Sequence, residues 1–419
     1  MSTADVSPPR SSRLLSPPAV FLVLLLAGYS AFALLPELRV QLGISAGGRW
    51  FIDSYAVLAA SDAVRAGLDP FQLNPLDPFQ RPHSYSSWWF RLGDLGLTRE
   101  DNFLVGGTWV LLFFAAVPVL LRPRTHGAAL WTALVVLSPP VLLAVNRANN
   151  DLVVFALLVV GLWVSGPAAW RQALFAAILV VATGLKFYPV VAVSACLLVR
   201  PPRRMLVAGG LAVLAGGLTI ASVWGDLQRA VIPWPNHIHT IGAAIIFRDL
   251  GWTGQGALLA GLGLVSLLGA VCAGRGWATG LAEESAPAGE RRAFMVGATV
   301  LVVCFLAGIS HAYRLIFALM LVPWLWRRAA AANPAARERG MARLMAGLLL
   351  TTLWFDGLLC LLVNTVLHPD SSAAVAQWES LGRAISQPVS WAVMVLLAGW
   401  LLDAAVAAGT AWWKGGAGR

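Results

Sequence analysis

The sequence predicts an all-α, polytopic membrane fold, on three observations. Its residues are 58% hydrophobic and only 12% charged. Its mean hydropathy is +0.73. Its apolar residues collect into runs on the scale of membrane helices instead of scattering as they do in a soluble chain. Read in order, those runs place about twelve spans near residues 18–36, 104–121, 128–145, 151–165, 172–185, 187–199, 205–224, 256–274, 294–309, 315–326, 344–365 and 389–409. Several fall short of the roughly 20 residues that a perpendicular helix needs, so these are expected to be buried, tilted or re-entrant.

The arginines set the orientation. With the N-terminus inside, 18 of the 30 basic residues face the cytoplasm against five acids, and the other face takes 12 basic residues with 14 acids. The net charge of +10 is therefore a topology signal, and no nucleic-acid partner is needed to explain it. Residues 1–17 read as a disordered cytoplasmic N-terminus, 18–410 as a single membrane domain and 411–419 as a cytoplasmic tail. Cys196, Cys272, Cys304 and Cys360 all fall inside expected spans without metal-like spacing, which favours buried structural thiols.

Asp53 follows the first span and opens the largest outer loop, residues 37–103. A carboxylate at the lip of so apolar a protein is costly, and such groups are usually kept for chemistry or transport. From Asp53 to Ala66 the loop has helical spacing, with Tyr55, Leu58, Ala59, Asp62 and Ala63 recurring as an interfacial helix would require, and Gly67 stops it. A proline- and aromatic-rich stretch follows, with Tyr85, Trp88 and Trp89. Flat aromatic faces beside acids and amides suit sugar rings and headgroups, and an interfacial aromatic belt accounts for them equally well.

Three further polar breaks interrupt the apolar runs on the same side. The first is Asn146-Arg147-Ala148-Asn149-Asn150-Asp151, where capping of the next helix explains Asn150 or Asp151 but not the whole run. Next comes Lys186-Phe187-Tyr188-Pro189 between two spans, where an ammonium suits an anionic phosphate. The last is Ser310-His311-Ala312-Tyr313-Arg314, in which His311 and Arg314 are spaced to share a helix face. Snorkelling and interfacial histidine chemistry explain each break singly, whereas one topology gathers all of them. In a second outer loop, 225–255, His237 and His239 lack a third partner and read as ordinary loop histidines; no metal site is expected. No phosphate loop, dinucleotide fingerprint or serine elbow occurs.

These motifs resemble glycosyltransferase family 87: the early Asp53, the Asn149-Asn150-Asp151 turn, the Leu185-Lys186-Phe187-Tyr188-Pro189 hairpin, and the loop stretch Asp77-Pro78-Phe79-Gln80-Arg81-Pro82 with Tyr85. The resemblance covers most of the chain in layout but only these short motifs in sequence. It implies a GT-C membrane fold and an inverting transferase of the bacterial inner membrane, with its site facing the periplasm. The donor would be a polyprenyl-phosphate hexose, mannose foremost, and the acceptor a glycolipid or glycan hydroxyl amid membrane lipids. Asp53 would match the base. Lys186, Arg147, His311 and Arg314 would lie toward the donor phosphate, and Asn149, Asn150, Asp151, Tyr188, Tyr85 and Trp88 toward the substrates. Many GT-C enzymes pair two acids in the first loop; Asp53 has no adjacent acid, which favours a mechanism without a metal or other cofactor. The rival expectation is a lipid or glycolipid transporter, which would show internal repeat symmetry and ionisable groups near the bilayer midplane.

Overall fold

The computed structural model describes residues 15–44, 49–166, 168–198, 202–230, 240–252, 254–281, 287–308, 310–331, 336–367 and 372–416. His237 and His239 lie outside the described residues, as do residues 1–14 of the expected disordered N-terminus. Apolar helices dominate the described residues, as in an α-helical membrane protein, with one short strand pair, Thr240–Ile241 and Ser310–His311, among them. Helices Pro17–Leu34, Arg99–Leu120, Gly254–Gly274, Ala336–Leu367 and Ala376–Ala411 are long and apolar enough to cross a membrane. A sixth is obtained if His126–Val136 and Pro139–Arg147 count as one span, bent by 51°. The bend falls at Pro139 and Pro140, whose rings deprive the ladder of donors.

The remaining expected segments are shorter helices, or carry charge. Asp151–Val164, Ala169–Leu185 and Tyr188–Leu198 are short, and Ala288–Leu306 begins with Glu290, Arg291 and Arg292. The last helix runs unbroken from Ser372 to Gly416, so the expected tail at 411–419 is helical up to Gly416. Asp356, counted from sequence with the outer acids, lies within the helix Ala336–Leu362.

Small residues draw the long helices together. A side chain at Gly269 would meet the Ala398 methyl at 3.0 Å, and one at Gly399 would meet Cys272 at 3.1 Å. Close backbone approach of this kind is how helices associate in lipid, where hydrophobicity gives no preference for protein over acyl chain. The deepest packing surrounds the 3-10 helix Ala312–Leu321, in which Ile316, Phe317, Ala318, Leu319, Met320 and Leu321 are fully enclosed.

The helix expected from Asp53 to Ala66 is present as Ile52–Arg65, and Gly67 follows it at φ +72°. Its buried side includes Val57, Leu58, Ala60, Ser61 and Ala63. Val57 and Leu58 pack with Trp89, Val105 and Trp109 in a small core of their own. That core seats the loop on helix Asn102–Leu120, and the Ser54 hydroxyl donates to Asn102 Oδ1 at 2.6 Å beside it. The two helices approach where helix Asn102–Leu120 carries Gly106: a Cβ there would stand 2.7 Å from the Phe51 ring and 2.8 Å from Ser54 Oγ, whereas at Gly107 it would meet nothing within 4 Å. Gly106→Ala is therefore expected to cost about 1–3 kcal/mol by overpacking. Gly107→Ala should be neutral or stabilise by up to about 1 kcal/mol through helix propensity. Thermal unfolding midpoints of the two variants in detergent compare them directly; equal midpoints would contradict this packing.

Candidate active site

Two distant segments converge on the Asp53 carboxylate. Asp53 sits in the first turn of its helix and is 4% exposed. Arg147, the last residue of helix Pro139–Arg147, clasps it in bidentate fashion: Nε donates to Oδ2 at 2.9 Å and Nη2 to Oδ1 at 2.7 Å. Asn149 Nδ2 donates to Oδ2 at 2.6 Å. Arg81 Nη1 adds a longer contact to Oδ1 at 3.3 Å, while its Nη2 donates to the Ile52 carbonyl at 2.6 Å and to Asp77 Oδ2 at 2.8 Å.

The backbone is strained to allow this. Among the described residues, the non-glycine positions at positive φ are Phe51 (63°), Gln80 (51°) and Ala148 (42°). Gln80 and Ala148 are chain neighbours of Asp53's partners Arg81, Arg147 and Asn149, and Phe51 precedes the Asp53 helix as its N-cap. The Phe51 N–H is tied to the Asn146 carbonyl at 2.8 Å, which locks the two segments together. Left-handed backbone at non-glycine residues costs of order 1–3 kcal/mol each and persists only where the surroundings enforce it.

A second charged group adjoins the first. Lys186, at the end of helix Ala169–Leu185, is 4% exposed and pairs with Asp151. Its Nζ also donates to Asn150 Oδ1 at 2.7 Å, with Asn149 Oδ1 at 3.5 Å. The Tyr188 hydroxyl donates to Asp151 Oδ1 at 2.5 Å. Asn149 thus joins the two groups, its amide nitrogen on Asp53 and its oxygen accepting from the Asp151 N–H at 2.9 Å. The Lys186 ammonium lies between the faces of Tyr85, Tyr313 and Tyr188, with ring centroids 5.1, 5.8 and 5.9 Å away.

Arg314 completes the ring of cations. Its guanidinium stands 5.7 Å from the Tyr188 ring centroid. Arg81, Arg147 and Lys186 each have a carboxylate partner. Arg314 forms no ion pair among the described residues, and its buried Nε has no hydrogen-bond partner there. Asp151 Oδ2 and Asn150 Nδ2, also buried, are likewise unpartnered. Orphaned buried polar atoms are rare in folded proteins, and these cluster at one place.

His311 departs from expectation. It does not share a helix face with Arg314, because it lies in a two-residue strand, Ser310–His311, paired antiparallel with Thr240–Ile241. The helix begins only at Ala312. The His311 ring instead stacks on Tyr313, with centroids 5.3 Å apart. Trp88 lies against the backbone of Gly184, where a Cβ would be 2.3 Å from its ring. The deeper tryptophan is Trp89, whose indole N–H donates to the Leu185 carbonyl at 2.9 Å.

Arg81, Asp77 and Tyr313 belong to the cluster although sequence reasoning gave them no role. Beyond their place in the loop stretch Asp77-Pro78-Phe79-Gln80-Arg81-Pro82, nothing in the sequence marks Asp77 and Arg81. Asp77 also brings a second first-loop acid to within one guanidinium of Asp53. Among the described residues, no three His, Cys, Asp or Glu side chains group as metal ligands would.

Electrostatics follow from these contacts. Burial alone would raise the Asp53 carboxyl, but Arg147, then Arg81 and the Asn149 hydrogen bond, outweigh it and hold the group down at about 2. Burial pushes His83 down to about 4 against the opposing contact with the Ser86 carbonyl, so this loop histidine is neutral at pH 7. Burial also raises the Tyr85 phenol well above its ordinary value, keeping it a hydrogen-bond donor.

A carboxyl lowered on folding lends stability that is complete above its unfolded value near 4 and is lost as pH falls toward 2. The thermal-stability advantage of the native protein over Asp53→Asn should therefore be greatest above pH 4, at about 2 kcal/mol. It should shrink between pH 4 and pH 2. A pH-independent difference would contradict the pairing. Compared with known proteins, the chain matches no family model, no curated protein and no solved structure.

Proposed function

We propose that this chain is an inverting glycosyltransferase with a GT-C-type membrane fold of about twelve segments. It moves a hexose, mannose foremost, from a polyprenyl-phosphate donor to a hydroxyl of a glycolipid or glycan acceptor. The setting is the bacterial inner membrane, with both termini cytoplasmic and the site facing the periplasm. The resemblance to glycosyltransferase family 87 supports the reaction class. One structural observation carries the site: Asp53, Asp77 and Asp151 share a buried cluster with Arg81, Arg147, Lys186 and Arg314, and the left-handed non-glycine residues among those described adjoin it.

In this reading Arg314, with charge to spare, receives the donor phosphate, and Asp151 Oδ2 and Asn150 Nδ2 offer contacts to hydroxyls. Asp53 takes the proton of the acceptor hydroxyl. The acceptor oxygen bonds to the anomeric carbon as the bond to the phosphate oxygen breaks, and the electron pair leaves with polyprenyl phosphate. A carboxylate held at about 2 is a weak base. The incoming phosphate competes with Asp53 for Arg147, and loosening that clasp returns basicity to the carboxylate when the donor is present. Developing charge on the departing phosphate is met by fixed guanidinium groups.

A lipid or glycolipid transporter is the second reading. It is favoured by Asp356, an acid within the apolar helix Ala336–Leu362 with one buried oxygen unpartnered.

The test supplies purified protein with synthetic polyprenyl-phosphate mannose and a membrane glycolipid extract. The native protein is expected to form labelled product. Asp53→Asn, which preserves shape and polarity but cannot hold the proton, should lower turnover by about 10²–10⁴-fold. Arg314→Gln should weaken donor use by about tenfold or more. Turnover retained in Asp53→Asn would remove the base assignment. Donor left intact but moved between leaflets of a vesicle would favour the transporter.

A further inference from the structure

A cavity of about 620 Å³ lies away from the Asp53 cluster. Asp151 in the cluster and Leu162 on the cavity wall occupy the same helix. At 1.5 Å per residue they are about 16 Å apart along its axis. The volume is within the range of small-molecule and lipid sites.

The walls are apolar, formed by Leu120, Leu162, Trp163, Val322 and Trp326. Leu120 is the last residue of a membrane-length helix, so the cavity opens at the depth where that helix leaves the hydrocarbon. Trp163, 67% exposed, and Trp326 fit the same depth, since tryptophans gather at the headgroup boundary. At the rim stand Arg122 and Arg124, both exposed and neither with an acidic partner among the described residues. The one acid of the lining, Glu290, is already neutralised by Arg327, whose Nε and Nη2 donate to its two oxygens at 2.6 and 2.5 Å. The cavity therefore joins an apolar interior to a rim with positive charge unspent, on the face the arginine distribution assigns to the cytoplasm.

We infer that this cavity is a binding site for an anionic glycerophospholipid of the adjoining leaflet. An acyl chain enters between the ends of helices Asn102–Leu120, Asp151–Val164 and Val322–Ala330, and the phosphate sits on Arg122 and Arg124. The site is independent of the transferase reading and stands or falls without it.

Delipidated protein in neutral detergent, titrated by native mass spectrometry with phosphatidylglycerol and with phosphatidylcholine of the same chains, tests it. Phosphatidylglycerol is expected to bind about tenfold tighter or more. The preference should narrow as salt rises, vanish in Arg122→Gln/Arg124→Gln and persist in Arg122→Lys/Arg124→Lys. Equal binding of the two lipids, or a preference surviving in the glutamine variant, would overturn the assignment. So would inorganic phosphate displacing the lipid at equal concentration, since the chain would then contribute nothing. Should the glutamine variant fail to fold, the native protein decides alone: a preference unchanged from low to high salt overturns the proposal.

Discussion

A carboxylate enclosed in an apolar protein must be neutralised where it stands, and at Asp53 this requirement organises everything near it. Leaving a buried ion without its partner costs about 3–5 kcal/mol. The chain meets the demand by bringing Arg147, Asn149 and Arg81 from two distant segments to the same two oxygens. Because Arg81 is also tied to Asp77 and to the Ile52 carbonyl, the long first loop cannot move without disturbing the pair. Because Asn149 bridges to Asp151, the Lys186–Tyr188 hairpin is held in the same network. The strain at Phe51, Gln80 and Ala148 is sustained by this mutual bracing.

The same logic distinguishes the cations by what remains available to each. Those facing carboxylates are largely spent, which makes them elements of architecture until a competing anion arrives. Arg314 differs because its guanidinium faces the Tyr188 ring and forms no ion pair among the described residues. A site arranged in this way responds to phosphate in two steps: attraction to the uncommitted guanidinium, then redistribution of the committed ones.

Much of this was legible in the sequence because a polar residue in an apolar run stands out. Asp53, Arg147, Asn149, Asn150, Asp151, Lys186, Tyr188 and Arg314 each interrupt a hydrophobic stretch, and the structure brings all of them together. Arg81 and Asp77 sit in a loop already rich in polar residues, where contrast gives no signal and only folding reveals the partner. The shared face expected of His311 and Arg314 fails because their spacing assumes a helix, while residue 311 is extended and the helix that follows is 3-10. The loop helix was predictable in extent from its periodicity and Gly67, whereas its close seating on Gly106 depends on tertiary fit. Hydropathy marked where apolar segments lie but not how far each reaches, because reach depends on helix type.

Helix type carries a geometric consequence. A 3-10 helix rises about 2.0 Å per residue against about 1.5 Å for an α-helix. The ten residues of Ala312–Leu321 therefore cover about 20 Å, and the nine of Val322–Ala330 a further ~14 Å. Laid end to end, these nineteen residues reach about 34 Å, where a regular α-helix of the same length would reach about 29 Å. Stretching the backbone in this way sets Arg314 and Trp326 about 22 Å apart along the contour, where an α-helix would set them about 18 Å apart. The price is poorer hydrogen-bond geometry along the stretch, which the burial of all its residues but Arg314 makes tolerable.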